Sequence, residues 1–196
     1  MMKNIFVAVF TLLFSLISQA TEFQWETIRF EHSNKWSMLT NHTVKGAKVI
    51  RLSHEVSDSY PLSVMFSFIP KTSAYASKFE MNQGVSANVI AANFAWPLVQ
   101  RFSKQSTRDN LLVSFNEVLV GKTLTSGAMM MVPTPQKQIY ISAQAFYLDK
   151  PNYYIVGSVV SRIDRGVMRH SIDYAKRIDS AYEMLKSVSV DFDVEN

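Results

Sequence analysis

LLVSFNEVLVGKTLTSGAMMMVPTPQKQIYISAQAFYLDKPNYYIVGSVVSRI, residues 111–163, decides the fold. It divides into four extended runs, Leu111–Val120, Thr123–Val132, Gln138–Leu148 and Tyr153–Ile163, rich in Val, Ile, Tyr, Phe and Thr. Such residues favour the pleated backbone of a strand. The runs are separated by Gly121-Lys122, Pro133-Thr134-Pro135 and Asp149-Lys150-Pro151-Asn152. Breaks this short return the chain antiparallel, because a parallel return needs a crossover of a dozen residues. An antiparallel meander is therefore the floor on which any helices lie.

On the C-terminal side, Tyr174, Ile178, Ala181, Leu185 and Val188 follow one another at intervals of four, three, four and three. This is one face of a helix, which the pattern places over Ser171–Lys186. Val188, Val190, Phe192 and Val194 then alternate with Ser189, Asp191 and Asp193, a strand whose acidic residues suit a sheet edge.

On the N-terminal side, Ala47–Ser53 and Leu62–Ile69 read as a pair of strands joined by the polar loop His54–Pro61. In the second, Leu62, Val64, Phe66 and Phe68 mark a buried face. Phe23, Trp25, Ile28 and Phe30 form an earlier extended stretch whose alternation slips between Trp25 and Ile28, as a bulge or bend would make it. A polar turn, His32–Lys35, leads to Trp36. Pro70 to Ser106 is helical in pattern, with Ser73 and Ser86 as N-caps and an apolar stripe of Val89, Ala92, Trp96, Val99 and Phe102. Pro97 should kink or restart that helix. The expected fold class is α+β, an antiparallel sheet of about six to seven strands flanked by helices.

The first residues carry an address. Met1-Met2-Lys3 precedes the apolar run Ile5–Ile17, and Ser18-Gln19-Ala20 supplies small residues before a cut after Ala20. This is the pattern of a secretory signal peptide, and the run is short for a bilayer core that needs about 20 apolar residues. The expectation is a signal peptide at 1–20 and a single α+β domain at 21–196, periplasmic or secreted, with no stable membrane anchor after cleavage. The chain contains no Cys, which excludes disulfides, thiolate chemistry and a lipidated N-terminal Cys. The formal charge of +4 falls to +3 without Lys3, too mild to indicate a nucleic-acid partner.

The order of elements, together with Phe30…Trp36, Val118-Leu119-Val120-Gly121-Lys122, Tyr153-Tyr154-Ile155-Val156-Gly157 and the ending Ala181–Val188, resembles the PsbP/Mog1-like superfamily and, within it, the DcrB-like periplasmic proteins. The resemblance lies in patterning and carries no specific motif. It implies an α/β sandwich that serves as a non-catalytic accessory domain.

The residues themselves offer no chemistry to set beside this. His32, His42, His54 and His170 form no H-x-H or H-E-x-x-H spacing, so no metal site is expected. Met129-Met130-Met131 would point to alternate faces of a strand and cannot converge on one Cu(I) ion. Neither G-x-S-x-G nor a phosphate-cradling glycine loop occurs, and no carboxylate pair is local in sequence. No catalytic residue and no cofactor is expected. Arg162, Arg165, Arg169, His170 and Arg177, with Lys176, cluster within sixteen residues, interrupted by Asp164 and Asp173. The cluster reads either as a solvated turn and helix face or as a docking surface for an envelope protein or anionic envelope component. The alternative function is a periplasmic carrier that encloses a small apolar ligand between sheet and helices with Trp36, Phe66, Phe68, Trp96 and Phe102.

Overall fold

A computed structural model describes residues 20–54, 62–80, 84–100, 111–134, 139–164 and 172–190. Ten strands and three helices occur among them: β1 (Ala20–Trp25), β2 (Ile28–Ser33), β3 (Trp36–Val44), β4 (Ala47–His54), β5 (Ser63–Pro70), α1 (Ser77–Glu80), α2 (Ala87–Gln100), β6 (Leu112–Val120), β7 (Thr123–Pro133), β8 (Ile139–Asp149), β9 (Tyr153–Asp164), α3 (Ile172–Lys186) and β10 (Ser189–Val190). The fold is dominated by antiparallel sheet. Seven strands join in the order β3-β4-β5-β9-β8-β7-β6, and β1, β2 and β10 form a second, three-stranded sheet.

The four-strand meander lies where its turn residues require. Gly121 takes φ +56°, and a Cβ there would stand 2.2 Å from the Val188 carbonyl oxygen, so only glycine fits this turn. At the β8–β9 turn, Lys150 N–H donates to the Tyr153 carbonyl at 2.9 Å. The meander does not fill the sheet alone. β9 also pairs with β5, Ser63 to Val160 through Pro70 to Tyr153, which welds it to the β3–β5 strands.

Alternation gives the large sheet two apolar faces. On one, Ile50, Leu52, Val64, Phe66, Phe68, Phe146 and Ile155 meet Phe23, Ile28 and Phe30 of the small sheet and Ala181, Met184 and Leu185 of α3. On the other, Ala128, Met130, Val132, Ile141, Ala143 and Ala145 meet Ala91, Ala95 and Val99 of α2. Beside that second cluster, Phe79 of α1 stacks on Tyr147 and Tyr154 with ring centroids 6.2 and 5.4 Å apart. Phe146 needs a notch: it pairs across to Gly157 and Gly127, and a Cβ on Gly157 would sit 2.2 Å from the Phe146 ring.

Several local expectations are corrected. Of the bulge or bend expected between Trp25 and Ile28, the chain makes a bend sharp enough to be a two-residue turn, with Glu26 at φ +51° and Trp25 paired to Ile28, so the single extended stretch is a hairpin. β2 runs on through His32 and Ser33, leaving Asn34 and Lys35 as the turn, and Trp36 opens a strand that the sequence reading lacked. Of residues 74–80, only Ser77–Glu80 is α-helical.

Helix α2 is continuous through Pro97. Both Pro97 and Asn93, whose carbonyl loses its helical partner, are exposed, so water can take the freed acceptor. Its buried face is Ile90, Ala91, Ala95 and Val99; Val89, expected in the stripe, is exposed, and Phe102 lies outside the described residues. The C-terminal strand is described only at Ser189–Val190, where it occupies an edge of the small sheet against β2.

Candidate interaction surfaces

The arginine cluster is not assembled by the described residues. Arg165, Arg169 and His170 lie outside them, as does the side chain of Arg177. Arg162 is half-buried on β9, paired with Ile141, and shares the α2 side of the sheet with Ile141 and Val160. Helix α3, which bears Arg177, packs on the opposite side. The sheet thus separates the first residue of the cluster from the helix carrying the last.

The aromatics assigned to a carrier are divided in the same way. Trp36, Phe66 and Phe68 belong to the core beneath α3 and the small sheet, whereas Trp96 lies on α2 and packs against the other face. Phe66 is filled in on all sides by Phe30 (4.9 Å between centroids), Phe68 (5.6 Å) and Phe146 (6.5 Å). These rings pack on one another and do not enclose a common space. The three methionines alternate as strand geometry requires, Met130 inward and Met129 and Met131 half-buried.

An open cleft of about 440 Å³ lies between β2 and α3, lined by Glu31, His32, Ser180, Glu183 and Ser187 among others. Several of its polar groups take part in local structure. The Ser187 hydroxyl accepts from the Glu31 N–H at 2.8 Å and lies 2.8 and 3.1 Å from the Met184 and Glu31 carbonyls, tying the end of α3 to β2. His32 Nδ1 approaches the Ser33 carbonyl at 3.1 Å, and Glu183 pairs with Lys186 at 2.7 Å. Among the described residues no group of His, Asp and Glu is placed to hold a metal ion.

Two tyrosines are perturbed, both at structural positions. Tyr153 donates to Glu26 Oε2 at 2.7 Å, pinning the β1–β2 turn to the large sheet. Burial, reinforced by that bond, raises its pKa. Tyr147 is pushed up to about 12, first by burial and then by the negative charge of Asp149 and the neighbouring Tyr154. The Tyr182 hydroxyl donates to Gln144 Oε1, fastening α3 to the buried polar side of β8.

The outer strand β6 is different. Helix α2 covers β7 and β8 and stops short of it. Val118 and Val120 turn inward, so Val113, Phe115, Glu117 and Leu119 form the row on the α2 side, next to Leu124 of β7. Leu112, Val113, Phe115, Leu119 and Leu124 are between 39% and 58% exposed. Apolar side chains are thus left open to solvent along a sheet edge whose outer backbone groups are unpaired among the described residues. Its sequence signal, apolar residues at both parities of Leu112–Val120, is legible, but the strand's place at the edge depends on sheet order.

No family model matches the chain, and no curated protein matches it. Solved structures do. One is a crystal structure from Bacteroides thetaiotaomicron VPI-5482, with a TM-score of 0.43 and 10% identity over 88% of this chain and 48% of that one. Another is LpqN, described as involved in cell envelope biogenesis of Mycobacterium tuberculosis, with a TM-score of 0.45 and 10% identity over 88% of this chain and 90% of that one. This chain thus spans about half the length of the first. Neither description names PsbP, Mog1 or DcrB. Among the described residues no helix is long and apolar enough to cross a membrane.

Proposed function

We propose that this chain is an exported, non-catalytic interaction protein of the bacterial cell envelope, with a PsbP/Mog1-like, DcrB-like sandwich as its scaffold. One observation carries the reading: the interior aromatics are consumed by packing, while a row of large apolar side chains faces outward along β6 and β7. A carrier needs the reverse arrangement. The export part rests on Lys3, the run Ile5–Ile17 and Ser18-Gln19-Ala20. The partner is an extended segment able to use an open sheet edge, since main-chain pairing supplies affinity and apolar neighbours supply preference.

The test is a photo-crosslinking residue placed at Phe115 in the producing cell, with Gln24, exposed on β1, as the control position. Adducts are expected from Phe115 and not from Gln24. Adducts from neither position, or equally from both, would sink the reading.

A further inference from the structure

We propose that the outer edge of β6 pairs antiparallel with β6 of a second copy about a two-fold axis at Asn116, joining two seven-stranded sheets into one. This deepens the preceding reading, on which it rests, by naming the occupant of the edge.

The edge lacks the features that keep strands apart. β6 contains neither Pro, Gly nor Lys and carries a single charge, Glu117, and its register with β7 runs without interruption from Leu112 to Val120. The opposite edge of the same sheet, β3, is broken by a bulge between Met38 and Thr40. A bulge twists an edge away from pairing; a long, regular, apolar strand invites it. Among the described residues nothing pairs with the outer side of β6.

The side chains are self-complementary in one register. Paired residues share a sheet face, so a symmetric antiparallel pair must centre on a residue. Centring on Asn116 pairs all nine residues: Leu112 faces Val120, Val113 faces Leu119, Ser114 faces Val118 and Phe115 faces Glu117. Centring on Glu117 sets two carboxylates opposite each other, which is destabilising. Centring on Phe115 carries Leu119 and Val120 past the start of the partner strand. In the Asn116 register Val113 also joins the row of Leu119 and Leu124 of the other copy, because Leu124 already pairs with Leu119.

Apolar area supplies only part of what association needs, and backbone pairing along β6 supplies the rest. The five exposed apolar residues present on the order of 400 Å² per copy, so two copies offer at most about 800 Å² before the newly paired backbone is counted, and Leu124, one strand in from the edge, is covered only in part. That approaches the lower bound of specific interfaces, roughly 1,200 Å² in total.

The absence of cysteine makes the test direct. In the Asn116→Cys chain the two introduced thiols oppose each other across the axis, within the span of a cross-strand disulfide. In Ser114→Cys the thiols stand four residues apart, about 14 Å along the strands, and out of reach. Expected results are a dimer by sedimentation velocity for the unsubstituted chain at micromolar concentration, and an oxidised dimer for Asn116→Cys and not for Ser114→Cys. Val113→Lys with Leu119→Lys places lysines opposite one another and should weaken self-association about tenfold or more. Phe115→Lys meets the partner's Glu117 and should weaken it less than the double substitution does. Unaltered far-ultraviolet circular dichroism separates these effects from unfolding.

A monomeric unsubstituted chain, or Ser114→Cys crosslinking as readily as Asn116→Cys, would overturn the proposal. If the chain is monomeric and Phe115 still crosslinks to a different envelope protein, self-pairing fails and the interaction reading stands. If Phe115 captures neither, both fail.

Discussion

Replacing Gly121 by Ala tests how the last helix is locked to the meander. Gly121 sits at φ +56°, and an added Cβ would lie 2.2 Å from the Val188 carbonyl oxygen. The left-handed backbone costs an L-residue about 1–2 kcal/mol. Relieving the contact requires the Leu185–Val188 backbone to retreat by about 1 Å, since carbon and oxygen pack no closer than roughly 3.3 Å. That retreat strains the hydrogen bond from Gly121 N–H to the Leu185 carbonyl, 2.9 Å long, at about 1 kcal/mol. It also loosens Leu185 and Val188, both buried in the main core. The expected loss is about 3–4 kcal/mol, a large share of the 5–15 kcal/mol typical of a domain.

Gly84 is the internal control, with φ +87° and no atom within 4 Å of the position its Cβ would take. Gly84→Ala bears only the backbone cost, about 1 kcal/mol. Urea unfolding followed by circular dichroism measures both, with unchanged slopes confirming a common unfolded state. If the two variants lose stability equally, the tight approach of Val188 to the β6–β7 turn is not what holds α3, and the reasoning fails.

Phe66→Ala removes a side chain with no solvent exposure from the ring cluster of Phe30, Phe68 and Phe146, and should cost about 3–5 kcal/mol in one cooperative transition; two separated thermal transitions would count against a single domain. Tyr147 holds its proton to about pH 12 when folded, against 10 when unfolded. The unfolded chain therefore binds fewer protons between those values, so stability is intact below pH 10 and falls as pH rises toward 12. Tyr147→Phe should flatten that fall, read as alkaline unfolding midpoints. Lys45, at φ +51° in the β3–β4 turn beside Gly46, should gain a few tenths of a kcal/mol on replacement by Asn, which tolerates the left-handed region better; a loss in urea unfolding would refute it. The exported protein should begin at Thr21 on N-terminal sequencing, and a retained Met1 would refute cleavage after Ala20.

What the amino-acid sequence determined by itself is local. The four meander strands lie within a residue of where composition and turn residues place them, and α3 buries Ala181, Leu185 and the following Val188 as its spacing requires. Side-chain alternation and turn chemistry act over a few residues, so a linear reading captures them. Where alternation breaks at Trp25–Ile28 the sequence leaves a bulge and a bend both open, because the two differ only in what pairs afterwards. Of the stripe expected on helix α2, Ala92, Trp96 and Val99 do pack on the core and Val89 does not, because almost every position around the helix is apolar and the pattern has no single direction. Tertiary structure alone decided the order of strands. β9 inserts between β5 and β8 and leaves β6 outermost; backbone pairing is nearly identical for every residue type, so the choice falls to the packing of side chains from distant segments. The edge that β6 exposes, and the division of Arg162 from α3 by the sheet, follow from that order and have no counterpart in any single stretch of chain.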